Sequence, residues 1–515
     1  MARILLGEPD LSLATLVQLS AGGSKLRIAL GDDSKQRVRA CRDMVDRAVA
    51  TGATMYGINT GFGKLAGVRI ADEQLSQLQK NLLLSHATGV GKPLTLPQSR
   101  LAFALRIHNL SLGHSGVRQK LIDQALALWN ADMIPVIPRQ GSVGASGDLA
   151  PLSHMALPLI GFGEVHHEGR VIAGATALKK LKRKPLDLAE KEGLALINGT
   201  QIMTAIGCLA TAEAMQLCRV ADITCAMTVE ALRGSESPFD PRVHEVRPHE
   251  GQRATAANLR SLLEASEIMV SHQKCEKVQD AYSLRCAPQV HGAAKDGVRY
   301  ALDVLVTEAN SVTDNPLVFK GRRGKSDIIS AGNFHGQPVS QAMDFLAIAV
   351  STLANISERR IEQLVNPDIS GLPPFLAKNP GVESGFMIPQ VVAASLASEN
   401  KTFSHPASVD TIPTSANRED HVSMGVTAAR HAQRCVENTA KVLGIEVLCA
   451  AQGLDLGEKL KPGAGVDAAY RALRKRVAGL DGDRFLAPDL AEAERCVRDG
   501  TLVAAVEKKI GPLAV

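Results

Sequence analysis

The chain has 515 residues, of which 45% are hydrophobic and 22% are charged. This length and composition indicate a globular protein of two or three domains. The 58 Lys and Arg residues against 53 Asp and Glu residues give a net charge of only +5, which argues against a nucleic-acid-binding or membrane-binding protein.

The pattern of residue types changes near residue 200. Before it, glycine-rich stretches such as "YGINTGFGKLAG" (56–67) and "ATGVGKPL" (87–94) predict loops between short elements. After it, apolar residues recur at helical spacing over long stretches. Aromatic residues make up only 3% of the chain, so Leu, Ala, Val and Ile must fill most of the core. The predicted long helices are 201–234, 253–271, 288–310, 336–365, 389–402 and 421–453.

These elements predict a mainly α protein, an elongated helical bundle with a loop-rich N-terminal lobe. We expect that lobe at 1–200, a central bundle of long helices at 201–455 and peripheral helices at 456–515. A helix of 25 residues extends about 40 Å at 1.5 Å per residue. Helices of such length with apolar faces are typical of bundles, which are often oligomeric.

Several features predict a cytoplasmic protein. Glu8 and Asp10 lie where a signal peptide needs an apolar core. The longest apolar stretch, 201–232, is interrupted by charged residues and is therefore not a membrane span. Nine cysteines, an odd number without a C-x-x-C pair, are typical of reduced thiols and give no zinc-type spacing. We therefore expect no metal site.

The stretch "RQGSVGASGDLAPLSH" (139–154) concentrates small residues. It lacks the G-x-S-x-G pattern of a hydrolase nucleophile elbow, because its second glycine comes one place too early. The stretch "GFGKLAG" likewise misses the dinucleotide-binding pattern, and no Walker-type G-K-[ST] sequence occurs. One remaining interpretation is structural: a glycine-rich turn, capped by Asp148, that leads into a helix over 149–161.

A second interpretation of this stretch is chemical. In a tight enough turn, the Gly147 nitrogen can attack the Ala145 carbonyl carbon with loss of water. Dehydration of Ser146 then completes a 4-methylideneimidazole-5-one ring (MIO). The reaction needs an unhindered glycine nitrogen, a serine whose hydroxyl can leave, a small preceding residue and a strained loop geometry. The product would be an electrophile made from the chain itself.

The stretch "GSVGASGDLAPL" resembles the signature of the aromatic amino acid ammonia-lyases and aminomutases. Further blocks resemble that family, in family order, from about residue 50 to residue 430. They are "YGINTGFGKLAG", "LLLSHATGVGKPL", "KEGLALINGTQ", "QDAYSLRCAPQVHGA", "DNPLVF", "SAGNFHGQPV", "SGLPPFL" and "PTSANREDHVSMG". The resemblance implies the ammonia-lyase/fumarase-like helical fold, a homotetramer with sites built from several subunits, an MIO from Ala145, Ser146 and Gly147, and no dissociable cofactor.

The family resemblance also implies which residues act in catalysis. The reaction removes ammonia and a β-proton from an α-amino acid, so a poor leaving group and a weakly acidic proton must both be activated. The MIO takes up the amine covalently, and a base takes the proton. By resemblance, Tyr56 is that base, and Tyr282 lies near the MIO and the departing amine. These are two of only four tyrosines in the chain.

Five further residues are assigned to the substrate by the same resemblance. Arg285 would bind the carboxylate through a bidentate fork, and Asn315 would be another carboxylate contact. Asn198 and Gln279 would form hydrogen bonds with the MIO and the substrate. Phe334 would pack beside the substrate ring.

Two polar residues favour histidine as the substrate. An imidazole needs hydrogen-bond partners because its nitrogens are costly to bury unpaired. By resemblance, His86 and Glu419 bracket the imidazole, and Glu419 discriminates better because relatives that act on phenylalanine or tyrosine generally lack it. Arg418 and Gln337 depart from the common pattern, which has Gln and Glu at these positions.

We therefore expect deamination of L-histidine to urocanate and ammonia. One alternative is an MIO-dependent lyase or aminomutase acting on tyrosine or phenylalanine. Another is a non-catalytic member that serves as a structural or binding protein, although the intact tripeptide and both tyrosines argue against it. The expected partners are a small amino acid and further copies of the chain, with no nucleic acid and no membrane.

Overall fold

The computed structural model describes residues 2–23, 26–51, 54–61, 67–273, 278–321 and 326–515. Part of the predicted loop 56–67 and Cys275 lie outside these residues. The chain forms two compact units, each assembled from three stretches. The first unit comprises Met1–Leu209, Leu302–Met343 and Pro406–Arg430, and the second comprises Ala210–Ala301, Asp344–His405 and His431–Val515.

Helices dominate the described residues, which confirms the predicted mainly α fold. In chain order they are α1 (Leu13–Ala21), α2 (Asp32–Ala50), α3 (Leu75–His86), α4 (Leu96–Ser111), α5 (Gln119–Asn130), α6 (Leu149–Ala156), α7 (Gly174–Lys180), α8 (Glu192–Ile197), α9 (Gln201–Ala231), α10 (Pro241–Glu245), α11 (Glu250–Leu262), α12 (Glu267–Ser271), α13 (Tyr282–Arg285), α14 (Ala287–Ala309), α15 (Gln337–Val365), α16 (Pro367–Ser370), α17 (Met387–Phe403), α18 (Gly425–Leu456), α19 (Ala464–Arg474), α20 (Ala487–Arg498) and α21 (Thr501–Ile510).

The described strands are short, and all of them belong to the first unit. They are β1 (Ala2–Leu6), β2 (Leu26–Leu30), β3 (Val90–Pro93), β4 (Ile134–Pro135), β5 (Pro138–Gln140), β6 (Glu164–His167), β7 (Arg170–Ala173), β8 (Leu317–Lys320) and β9 (Ser326–Ile329). Strands β1 and β2 pair in parallel, with Ala2 opposite Leu26. The pairs β3–β5, β4–β6, β6–β7 and β8–β9 are antiparallel.

Helix α4 lies in the interior of the first unit. Thr95 caps its N-terminus in a capping box with Gln98, which satisfies two of the amide groups left free at a helix start. Every residue from 98 to 111 is buried. The arginines on this helix therefore need partners inside the protein.

A small apolar cluster holds the loop that carries Tyr56. Ile58 is fully buried and packs with Cys41 and Val45 of α2 and with Val318 of β8. Burial of one such side chain contributes about 1.5–3 kcal/mol. This anchor fixes the chain two residues after Tyr56.

Buried ion pairs connect the long helices of the second unit. Asp222 of α9 accepts a hydrogen bond from Lys295 of α14 at 2.7 Å, and Arg360 of α15 pairs with Glu446 of α18. All four side chains are inaccessible to solvent. Loss of one partner would leave a buried charge uncompensated, which typically costs 3–5 kcal/mol.

Most of the predicted long helices lie close to their observed bounds, but the single helix expected over 253–271 is wrong. Two helices, α11 and α12, occupy this stretch, and Ala265 between them has a φ of +60°. The N–H of Glu267 donates to the Lys461 carbonyl at 2.9 Å. This bond to a distant segment satisfies an amide at the start of α12, so the chain reorients there although its apolar period continues.

The expected division into 1–200, 201–455 and 456–515 stays a prediction, since the compact units group the chain differently. The eight described cysteines are all free thiols. Among the described helices, α15 alone is long and apolar enough to cross a membrane. Because 72% of its apolar window is buried within the protein, α15 has the character of a core helix.

Candidate active site

The tripeptide Ala145–Gly147 lies in a tight turn between β5 and α6. The N–H of Gly147 donates to the Gly144 carbonyl at 3.2 Å, which closes the turn around Ala145 and Ser146. Ser146 has a φ of +48°, a region that non-glycine residues rarely occupy. The short strand β5 precedes the turn. The turn is thus compact and strained at the serine.

Two backbone hydrogen bonds attach this turn to Gly199. The Asp148 N–H donates to the Gly199 carbonyl at 2.7 Å, and the Gly199 N–H donates to the Ser146 carbonyl at 3.3 Å. A Cβ atom on Gly147 would overlap the Gly199 carbonyl group. Glycine at position 147 is therefore required both by its φ of +80° and by the close approach of the two backbones.

We predict that Gly147→Ala abolishes ring formation and nearly all turnover. The added methyl group would collide with backbone that cannot rotate away, so the turn must open. Gly169→Ala is the matched control, because Gly169 has a similar φ of +73° and no atom within 4 Å of the position of the added methyl group. Intact mass and turnover should be normal in the control. A Gly147→Ala protein with wild-type activity would contradict the requirement.

Asp148 caps a different helix from the one that the sequence predicts. Asp148 precedes α6, but its carboxylate forms no capping bond there. Its Oδ2 accepts from the N–H groups of Ile202 and Met203, both at 3.0 Å, at the start of α9, and its Oδ1 accepts from the Ser142 hydroxyl. Burial raises the pKa of Asp148 to about 7, although these hydrogen-bond donors act to lower it. Asp148 thereby joins the tripeptide turn to α9.

The predicted helix over 149–161 is also shorter than expected. It is α-helical only to Ala156 and continues as a 3-10 helix over Leu157–Ile160.

Glu419 lies beside the tripeptide. Its Oε1 accepts a hydrogen bond from the Ser146 hydroxyl at 3.4 Å, and its Oε2 accepts from the Thr414 hydroxyl at 2.7 Å. Thr414 and Glu419 pair through their backbones across a tight loop. Among the described residues, the exposed Arg418 forms no ion pair with Glu419. The carboxylate therefore bonds to the tripeptide with one oxygen and to Thr414 with the other.

His86 belongs to the same group of side chains. It is the last residue of α3, and its Nδ1 lies 3.0 Å from the Ser85 hydroxyl. Partial burial lowers the pKa of His86, while the Leu82 carbonyl and the charge of Glu419 oppose that change. Burial thus disfavours the charged form of His86, and the negative charge of Glu419 favours it.

Asn198 and Asn315 contact one another in the interior of the first unit. The Asn198 side chain donates to the Asn315 carbonyl at 3.0 Å. The Asn315 Oδ1 accepts from the Ala331 N–H at 2.7 Å, three residues before Phe334. Phe334 is half-buried just before α15. These bonds hold the chain segments of three predicted substrate residues together.

The loop of Tyr56 packs against the same segments. A Cβ atom on Gly57 would overlap the Leu194 side chain of α8 and lie 3.3 Å from Pro316. Tyr56 is half-buried. Gly57, the neighbour of Tyr56, therefore lies close to Leu194 in α8 and to Pro316, which follows Asn315.

Gln337 makes a contact that the more common Glu could not make. Its side-chain amide donates to the Ser408 carbonyl at 3.2 Å. A carboxylate has no hydrogen to donate at this position. The departure therefore has a local structural explanation.

Three predicted site residues, Gln279, Tyr282 and Arg285, belong to the second unit. The guanidinium of Arg285 lies over the Tyr282 ring at 4.5 Å, and Tyr282 is 71% exposed. Gln279 is exposed as well. Their roles, like those of the residues in the first unit, stay predictions.

Sequence reasoning missed two residues of the first unit. Thr414 holds Glu419, and Arg106 contacts the backbone of Asn198. Arg106 lies within the apolar run "LAFALRIHNLS", and an arginine inside a buried helical run is the signal that could have found it. Thr414 has no comparable signal, because its contact depends on the fold of the loop.

Comparison with known proteins decides the family. The model of the aromatic amino acid lyase family matches residues 11–475. The chain belongs to this family. It is therefore a carbon–nitrogen lyase, and the resemblance inferred from the motifs is confirmed.

Relatives of this lyase are similar over their full lengths. Histidine ammonia-lyase of Sorangium cellulosum is 54% identical over 99% of this chain and 100% of its own, and that of Myxococcus xanthus is 51% identical over 98% of each. The structure of histidine ammonia-lyase from Trypanosoma cruzi has a TM-score of 0.90 at 42% identity, covering 99% of this chain and 95% of its own. Tyrosine aminomutase from Streptomyces globisporus has a TM-score of 0.92 at 35% identity, covering 99% and 100%.

Proposed function

We propose that this lyase converts L-histidine to urocanate and ammonia. The observation that carries the proposal is the position of Glu419, whose carboxylate accepts a hydrogen bond from the Ser146 hydroxyl at 3.4 Å. This carboxylate and the imidazole of His86 can pair both nitrogens of a substrate imidazole, whereas a phenyl ring would leave them unpaired. The similarity to two bacterial histidine ammonia-lyases supports the same substrate.

We also propose that the MIO forms from Ala145, Ser146 and Gly147. The fit of these residues is good: the turn is closed by the Gly147 N–H, Ser146 is held at positive φ, and Gly147 itself has no side chain. When formed, the group supplies an electrophilic carbon for the substrate amine. Loss of the Ser146 hydroxyl as water would also release the Oε1 of Glu419 from its present donor, which makes that oxygen available to an imidazole N–H.

The remaining assignments concern this chain's own side chains. Tyr56 would take the β-proton, and Tyr282 would assist departure of the amine. Glu419 and His86 would hold the imidazole. The other contacts with the substrate and the ring would come from Asn198, Gln279, Arg285, Asn315 and Phe334.

The proposal includes a cytoplasmic homotetramer in which Tyr282, which belongs to the second unit and is 71% exposed, and the tripeptide of one site come from different subunits. We predict that Tyr282→Phe and Ser146→Ala proteins, each inactive alone, regain activity when their subunits are mixed. At equal amounts and random assembly, about a quarter of the sites would hold both intact groups. Turnover after mixing, compared with each variant mixed with itself, is the measurement. No recovery despite proven subunit exchange would place both groups in one subunit.

A second candidate is a tyrosine lyase or aminomutase, which the likeness to tyrosine aminomutase favours. The products that purified protein makes from L-histidine and from L-tyrosine distinguish the candidates. Urocanate from L-histidine, with slow or no conversion of L-tyrosine, is the expected result. Fast formation of β-tyrosine or coumarate would establish the second candidate instead.

A further inference from the structure

Two arginines on the buried helix α4 each contact the C-terminal end of another helix. Arg100 donates to the carbonyls of Ser20 and Ala21 at the end of α1, and also to Asp132. Arg106 lies nearly two turns further along and is only 1% exposed. Both satisfy carbonyl groups that have no partner within their own helix.

The contacts of Arg106 converge on one peptide group. Its Nη1 and Nη2 donate to the Asn198 carbonyl at 3.1 and 2.6 Å, and Nη1 also donates to the Ala195 carbonyl at 3.1 Å. The remaining bond goes to the Asn109 side chain at 3.3 Å. In the described part of the chain, the hydrogen bonds of Arg106 all go to uncharged groups. Its charge is therefore directed mainly at backbone carbonyls.

The peptide group that accepts from Arg106 donates to the tripeptide turn. The carbonyl of Asn198 and the N–H of Gly199 belong to one amide, and that N–H donates to the Ser146 carbonyl at 3.3 Å. A hydrogen bond at the oxygen of an amide polarises it and makes its N–H a stronger donor. A continuous path of hydrogen bonds thus joins a buried cation to the carbonyl of Ser146.

The cation is charged under working conditions. Burial lowers the pKa of Arg106 to about 10, and the nearby charges of Asp314 and Asp148 limit that decrease. Asp314 is itself paired with Lys191 at 2.6 Å. The guanidinium therefore keeps its proton at neutral pH, in surroundings where its field is weakly screened.

We propose that Arg106 is a positioning residue that, through the Asn198–Gly199 peptide, polarises the Ser146 carbonyl for ring formation and for the reactivity of the finished ring. This inference rests on the proposed function. Dehydration of Ser146 removes its Cα proton and its hydroxyl as one water and leaves a Cα=Cβ double bond conjugated with its carbonyl. Negative charge collects on the Ser146 oxygen as the Cα proton leaves, and again when a nucleophile adds to the double bond. A polarised N–H at that oxygen stabilises both.

Variants of the two arginines separate this role from a merely structural one. Arg106→Gln removes the charge, and Arg106→Lys keeps a cation while losing the planar fork. Arg100→Gln and Arg100→Lys are the matched controls, since Arg100 is buried on the same helix and bonds to helix-end carbonyls far from the turn. The readouts are the fraction of protein that has lost two waters, by intact mass, and the rate at which cyanide adds to protein that carries the ring.

We expect the fraction of protein that has lost two waters and the rate of cyanide addition both to decrease from wild type to Arg106→Lys and further to Arg106→Gln. Arg106→Gln should slow cyanide addition about tenfold or more. The Arg100 variants should lower the unfolding temperature but complete the ring and react at the wild-type rate. If Arg106→Gln does not fold, Arg106→Lys decides the outcome by comparison with Arg100→Lys.

Two results would overturn the role of Arg106. One is a full loss of two waters and wild-type cyanide addition in the folded Arg106 variants. The other is an equal deficit in the Arg106 and Arg100 variants that follows their loss of stability. Absence of the ring from wild-type protein would instead overturn the proposed function itself, so the two failures are distinct.

Discussion

Ser146→Ala is expected to restore the mass given by the sequence and to abolish nearly all turnover. Wild-type protein should weigh two waters less than its sequence, with the loss confined to peptides that contain residues 145–147. Alanine has no hydroxyl to lose, so the double bond cannot form. Removal of a covalent catalytic group typically costs roughly 10³-fold or more in rate.

Ser153→Ala is the matched control for this experiment. Ser153 lies in α6, close to the tripeptide in sequence, and its buried hydroxyl donates to the Leu149 carbonyl at 2.8 Å. Its loss removes one hydrogen bond, worth about 1 kcal/mol, without touching the ring. An unmodified wild-type protein with full activity would contradict the MIO proposal, whatever the behaviour of the variants.

The spacing of apolar residues predicted the long helices, because this spacing depends only on residues within each helix. The helices expected at 288–310 and 336–365 are observed as α14 and α15, within one residue at each end. The break between α11 and α12 was missed because, besides the local cap Ser266, a distant segment bonds to the chain on both sides of it: the Ala464 N–H donates to the Glu264 carbonyl, and the Glu267 N–H donates to the Lys461 carbonyl. Periodicity within one stretch carries no information about such a partner.

The candidate site likewise combines residues that could be predicted from the sequence with contacts that depend on the fold. The resemblance identified Glu419 and Ser146, which the fold brings within hydrogen-bond distance across 273 positions of sequence. The partners of Asp148 could not be inferred, since the nearest helix start in sequence is not the one that it caps. Local propensity favours a cap for the adjacent helix, and tertiary packing selected α9 instead.

The substrate preference should depend on the pairing of Glu419 and His86 with an imidazole. A site built to form hydrogen bonds with its substrate rejects an analogue that lacks the polar groups by about 10⁴-fold or more. L-histidine should therefore be converted far faster than L-phenylalanine, and L-tyrosine should also be a poor substrate. The measurement is kcat/KM for the three amino acids with one enzyme preparation.

Glu419→Gln should keep the fold and the ring but lose much of the histidine activity. The present carboxylate accepts from Thr414 with one oxygen and has the other directed at Ser146. An amide has only one accepting oxygen, so the variant must leave either Thr414 or the substrate facing an NH₂ group. Asp420→Asn is the matched control, because it removes the adjacent, exposed carboxylate and should leave kcat/KM within about twofold, as expected of a surface change.

The apolar variants should change the preference as well as the rate. Glu419→Ala and His86→Leu remove the groups that a phenyl ring cannot pair, so the ratio of kcat/KM for histidine over phenylalanine should fall in both, and further in the double variant. A wild-type preference for tyrosine or phenylalanine, or undiminished histidine turnover in Glu419→Gln, would contradict the histidine assignment while leaving the lyase family intact. Arg418 would then be the next residue to test, because this cation is adjacent to Glu419 in sequence and an ion pair between the two would neutralise the carboxylate.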